Sequence, residues 1–187
     1  MSHSPERGRD GRVLVAGIGN IFLGDDGFGV ETVRVLAGRE LPGRVEAVDI
    51  GVRGVHLAYQ LLDGYDTLIL VDATARGEAP GTLYVIEHDD IGAYGTEHAP
   101  LDGHRMTPDA VLALLGTLCA GTGGRPPRRT LVVGCEPACV EEGIGLSGPV
   151  SDAVPRAVRL IEELLAAPPE PGARPRTAEA VTLGETR

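Results

Sequence analysis

Aromatic side chains are nearly missing from this sequence. Phe, Tyr and Trp together make up 3%, and Trp is absent, so a core must be assembled from Val, Leu, Ile and Ala. Only three cysteines occur, Cys119, Cys135 and Cys139, too few and too unevenly placed for a disulfide framework, which points to a reducing cytoplasm. There is no stripe of basic residues. With 17 Lys and Arg against 27 Asp and Glu and a formal net charge of -10, nucleic acid is not an expected partner. No segment reaches the run of roughly 18 apolar residues that a membrane helix needs. The polar start, MSHSPERGRDGR, lacks the apolar stretch of a signal peptide. What is present suffices for one domain: 187 residues, of which 42% are hydrophobic and 24% charged, support a single core without disulfides or a structural metal.

Hydrophobic patterning predicts the elements. Val13 to Ala16 reads as a short buried strand ending at Gly17. A Gly-rich loop and Asp25-Asp26 follow, then a helix from Phe28 to Leu36 with Val30, Val33 and Leu36 at helical spacing. Val45 to Ile50 reads as a second strand, Gly51 to Gly54 as a turn, and Val55 to Leu62 as a short helix. The unbroken run Thr67 to Val71 has the composition of a central parallel strand covered on both faces. Leu83 to Ile86 follows after a short link, as an antiparallel edge strand would. Residues 87–107 show no period and read as a long loop of the kind that often carries function. Thr107 and Pro108 suit the cap and first turn of a helix to Ala120. Leu131 to Val133 is a fifth strand, and Ser151-Asp152 reads as the cap of a last helix with Val154, Val158, Ile161 and Leu165 on one face. The expected organisation is a disordered start over 1–11, one domain over 12–167 and a loose tail over 168–187. The alternation of elements predicts an α/β three-layer sandwich, with a mainly parallel five-stranded sheet and helices on both faces.

In such sheets ligands bind beyond the carboxyl ends of the strands. Asp26 follows the first strand and Asp72 the third; His104 lies in the long loop. Two carboxylates and an imidazole suit a borderline divalent ion such as nickel, zinc, iron or manganese, with positions left open for substrate or water. Each residue also has a bland reading: an acid at the positive end of a helix, a strand-end turn and a surface histidine. No local H-E-x-x-H spacing ties the three together. All three are expected to be reachable by solvent. Asp49 ends the second strand on the same edge, as a turn former or as a carboxylate that positions a peptide or a water. Gly17-x-Gly19 hints at a dinucleotide loop, but Phe22 stands where that fingerprint needs Gly or Ala. No Gly-x-Ser-x-Gly elbow occurs. Cys135 and Cys139 without a second pair are a weak metal signal and read as small core or loop residues.

The stretch Gly17-Ile18-Gly19-Asn20, with Leu23-Gly24-Asp25-Asp26-Gly27-Phe28-Gly29 after it, resembles the opening signature of hydrogenase maturation endopeptidases. Leu68 to Ala73 resembles the strand carrying that family's second acid, His104 its histidine ligand, and Gly145-Leu146-Ser147 with Pro149-Val150 the motif before its last helix. Gly148 interrupts the Ser-Pro pair that the pattern leads one to expect, and His98 offers a second histidine in the same loop. The resemblance runs from Val13 to Leu165. It implies an endopeptidase that removes the C-terminal extension of a nickel-loaded [NiFe] hydrogenase large-subunit precursor. Asp26, Asp72 and His104 would bind nickel supplied by the substrate, with no tightly bound cofactor of the enzyme's own. Asp26 or Asp49 would serve as general base, and Gly19, Asn20, Gly51 and Gly54 would lie against the substrate. A monomer is expected. Two alternatives stand beside this reading: a non-proteolytic nickel sensor or scaffold on the same fold, and a conventional metallo-hydrolase with its own zinc.

Overall fold

The computed structural model describes residues 11–88, 108–166 and 179–180. Its strands are β1 (Val13–Ile18), β2 (Val45–Gly51), β3 (Thr67–Ala73), β4 (Leu83–His88), β5 (Arg129–Cys135) and β6 (Glu179–Ala180). Its helices are α1 (Phe28–Ala37), α2 (Gly54–Leu61), α3 (Pro108–Thr122) and α4 (Gly148–Ala166), with a single 3-10 turn over Gly24–Gly27 ahead of α1. The strands form one sheet in the order β2-β1-β3-β5-β4-β6. β2, β1, β3 and β5 run parallel, whereas β4 is antiparallel to β5 and to the two-residue β6. The five expected strands are all present, with β4 antiparallel. β6 adds a sixth inside the segment read as a loose tail.

Both faces of the sheet are covered, which is why the central strands carry continuous apolar runs. On one face Val13, Val15, Ile69, Val71, Leu131 and Val133 pack with α1 and α4. On the other, Leu14, Ala16, Leu68, Leu70 and Val132 pack with α2 and α3. Successive residues of one strand thus feed opposite cores.

α4 starts three residues earlier than its apparent Ser151-Asp152 cap. Pro149 fits the first turn, where a missing N–H costs nothing, and the Ser147 carbonyl accepts the Ser151 N–H at 2.8 Å. Pro155 lies inside this helix; burial of Val154, Val158, Ile161 and Leu165 offsets its local penalty. The expectations for residues 1–10, His98, His104, Thr107 and most of the tail fall outside the described residues.

The chain leaves β1 toward β2 on one side, then returns across β1 to β3 and continues outward to β5 and β4. The carboxyl ends of β1 and β3 are therefore where the winding reverses, the position at which open α/β sheets leave a crevice.

Candidate functional site

Asp26 and Asp72 meet at that crevice. Asp26 sits in the 3-10 turn after β1, half-buried, and its Oδ2 accepts the Asn20 backbone N–H at 2.6 Å. Asp72 lies within β3, opposite Gly134 of β5. It is only 8% exposed, so the expectation of a solvent-reachable group fails here. β3 runs on to Ala73 rather than ending at Val71, and the ladder carries Asp72 into the protein. Burial pushes the Asp72 carboxyl well above the ordinary range and the charge of Asp26 adds to this; the Ala73 N–H opposes it only in part. A desolvated carboxyl beside a second acid favours binding a proton or a cation.

Glycine makes this approach possible. A Cβ on Gly29, in the first turn of α1, would stand 2.1 Å from the Val71 carbonyl oxygen and 2.4 Å from that of Ile18. The bare backbone lets the start of α1 rest on the ends of β1 and β3 together. Gly19, at φ +124, passes so close to the Asp26 carbonyl that a Cβ would lie 1.9 Å from its oxygen.

Asp25, one residue from Asp26, has a different role. It is 1% exposed. Its carboxylate accepts the backbone N–H groups of Ala138 at 2.8 Å, Cys139 at 3.1 Å and Ser147 at 2.6 Å, and the Ser147 hydroxyl at 2.9 Å. Its own N–H donates to the Cys139 carbonyl at 2.9 Å. Burial pushes this carboxyl up, but the bonds from Ser147, Cys139 and Ala138 outweigh it and hold the pKa below the ordinary value. Asp25 thus ties the loop between β5 and α4 to the turn that carries Asp26. Glu136, 5% exposed, does similar work beside it. It accepts the N–H groups of Arg76 and Gly77 at 2.8 and 3.1 Å and the Tyr84 hydroxyl, fixing the loop after β3. Sequence reasoning missed both clamps. Asp25 is 113 residues from Ala138 and 122 from Ser147, so no local spacing could signal the pairing.

Asp49 is held by Arg34, whose Nε and Nη2 lie 3.1 and 3.0 Å from its Oδ2. Its backbone carbonyl accepts from Arg53 at 2.7 Å. Gly51 accepts the Gly19 N–H at 3.1 Å, joining the ends of β1 and β2. Gly19, Asn20, Asp49 and Gly51 line one hollow of about 190 Å³. Gly54 is set apart from it, buried at the start of α2. Among the described residues no three His, Cys, Asp or Glu side chains gather as a metal cluster, and His104 lies outside them. Cys135 is buried at the end of β5, its thiol pushed up to about 12, chiefly by burial; Cys139 is exposed.

The chain is similar to known proteins along most of its length. A sequence model of the family described as hydrogenase maturation protease matches residues 30–164. The chain is 33% identical over 156 residues to the hydrogenase expression/formation protein HupD of Rhizobium leguminosarum bv. viciae, covering 82% of this chain and 74% of that protein. It is 33% identical over 172 residues to the hydrogenase 2 maturation protease of Escherichia coli (strain K12), covering 91% and 98%. Among solved structures, the hydrogenase maturating endopeptidase HybD from E. coli superposes with a TM-score of 0.67 at 30% identity, over 82% of this chain and 91% of that one.

Proposed function

The chain belongs to the hydrogenase maturation protease family, and from that premise we propose that it cuts one peptide bond of a nickel-loaded [NiFe] hydrogenase large-subunit precursor, releasing the C-terminal extension, with Asp26 and Asp72 as the recognition centre. Similarity to named maturation proteases along most of the chain favours cleavage over a sensor, a scaffold or a general metallo-hydrolase. The observation that carries the assignment of the centre is the meeting of a half-buried and a buried carboxylate at the switch point of the sheet. A divalent cation would take the place of the proton that burial favours on Asp72 and neutralise the pair, so the donor chemistry suits nickel carried by the substrate. His104 would supply the third donor.

The residues present divide the work. Asp26 and Asp72 hold the precursor by its metal and so fix the scissile bond. Asp26 or Asp49 takes the proton of the water that attacks the carbonyl carbon, and the departing amine gains a proton as the C–N bond breaks. Gly19, Asn20 and Gly51 bring backbone to the hollow beside Asp49, where an extended peptide can lie. Gly54, buried as the first residue of α2, shapes the turn instead.

We place the protein in the cytoplasm as a monomer. None of its cysteines lies in a disulfide, and no described helix is long and apolar enough to cross a membrane. An open site of two described carboxylates binds a lone ion weakly, so the purified enzyme is expected to be largely metal-free. The test pairs metal analysis of the enzyme with mass measurement of precursor prepared with and without nickel. Loaded precursor should shorten and nickel-free precursor should stay intact, before and after chelator treatment of the enzyme. Equal cutting of both forms would remove substrate-borne nickel as the signal.

A further inference from the structure

Two of the most exposed large apolar side chains lie on loops at the candidate site. Phe22 is 61% exposed and Ile144 is 85% exposed. Phe22 is four residues before Asp26, on the loop whose Asn20 N–H holds the Asp26 carboxylate. Ile144 is on the loop that Asp25 clamps.

Their positions are built, not loose. The Gly143 N–H donates to the Phe22 carbonyl at 2.9 Å and the Gly24 N–H to the Gly143 carbonyl at 3.0 Å, so the two loops pair as a short parallel bridge between Leu23 and Gly143. The Phe22 N–H is held by the Asn20 side chain at 3.0 Å, and Asp25 bonds the far ends of the same two loops together. Two hollows of about 190 and 550 Å³ flank this pair, Phe22 lining the first and Ile144 the second, with Ile21 and Arg34 common to both.

Ordered loops that hold apolar side chains in water gain nothing within the monomer, and such exposure marks surfaces for partners. A protein cut at Asp26 must run across the loop that bears Phe22. On that ground, and resting on the protease reading above, we infer that Phe22 and Ile144 form a preorganised docking surface for an apolar patch on the body of the precursor, next to the bond to be cut. Rigid apolar anchors around a reacting site secure a partner at small entropic cost, which suits an enzyme that must find one bond in a folded substrate.

The test measures steady-state cleavage of nickel-loaded precursor by wild type, Phe22→Ser, Ile144→Ser, the double variant and Tyr59→Ser. Tyr59 is a control of similar exposure, 58%, on α2. The double variant should raise KM about tenfold or more with kcat nearly unchanged, and Tyr59→Ser should match wild type. If the double variant does not fold, Ile144→Ser alone, at the more exposed position, still carries the test with a several-fold rise. A double variant with wild-type KM overturns the inference, as does an unchanged KM with lowered kcat. So does a wild-type dimer that the substitutions dissociate without slowing cleavage, since the surface would then serve a second copy. A wild type that leaves the precursor uncut defeats the protease reading itself, whereas a wild type that cuts and is matched by the double variant defeats only the docking surface.

Discussion

Neighbouring carboxylates in the same turn should respond oppositely to the same substitution. Asp25→Asn replaces an acceptor of four hydrogen bonds, at 2.6 to 3.1 Å, in a site 1% exposed. An amide keeps one accepting oxygen. If that oxygen faces the Ser147 N–H, the NH2 group faces the N–H groups of Ala138 and Cys139, and two part-buried donors lose their partner. At about 1–3 kcal/mol for each unsatisfied group, and with non-additivity, the loss should be about 2–4 kcal/mol. That is a large share of the roughly 5–15 kcal/mol expected of a domain, and it should lower Tm by about 5–12 °C. Asp26→Asn loses one charge-assisted bond, from Asn20, but also relieves repulsion with Asp72, so its stability should stay within about 1 kcal/mol of wild type. Its precursor processing should fall about a hundredfold or more. Urea unfolding followed by circular dichroism gives the stabilities, and mass measurement of the precursor gives the activities. An Asp25→Asn protein within about 0.5 kcal/mol of wild type, at unchanged m-value, would refute the clamp.

Asp72→Asn should abolish processing while leaving thermal stability equal to or above wild type, because a buried, repelled carboxyl is replaced by a neutral group; His104→Ala should also abolish processing with the fold intact, and wild-type rates in any two of the Asp26, Asp72 and His104 variants would sink the site. Gly29→Ala should cost about 3 kcal/mol or more, since its Cβ would strike two backbone carbonyls that cannot move without shifting β1 and β3; a melting curve checks this. The Asp25 pKa is depressed by folding, so its contribution is fully present above the unfolded value near 3.9 and is lost as pH falls through the lower folded value. The urea midpoint of wild type should therefore drop below about pH 4, and the drop should be smaller in Asp25→Asn, as titration of the midpoint against pH will show.

The parts of this molecule legible in its sequence are those governed by local pattern. Thr67 to Val71 reads as a central strand because burial on both faces demands an unbroken apolar run, and β3 lies at the centre with β1 and β5 beside it. The antiparallel direction of β4 follows from the short link before it. The errors share one cause, which is distance along the chain. Ser151-Asp152 reads as a helix cap, yet α4 begins at Gly148, because the N–H and hydroxyl of Ser147 are satisfied by Asp25 from the other end of the domain. The third strand reads as ending at Val71, yet β5 extends alongside and holds Asp72 in the ladder.

The same distance separates the two acids of the Asp25-Asp26 pair in meaning. Nothing in the dipeptide says which carboxylate turns inward. The resemblance to a family motif assigns the second acid to the site, and the structure shows how differently the two acids are bonded. Asp25 meets a loop that offers three backbone donors and a hydroxyl, all satisfied by one carboxylate. Among the described residues Asp26 meets one donor, the Asn20 N–H, and the buried carboxyl of Asp72. The first acid thus lowers its energy by being buried as an anion. The second keeps bonding capacity among the described residues, which under the proposed function is met by a cation brought by another protein. In the proposed reading, stability and function are divided between adjacent residues because the clamp, having no bonding capacity left, cannot itself serve as a ligand.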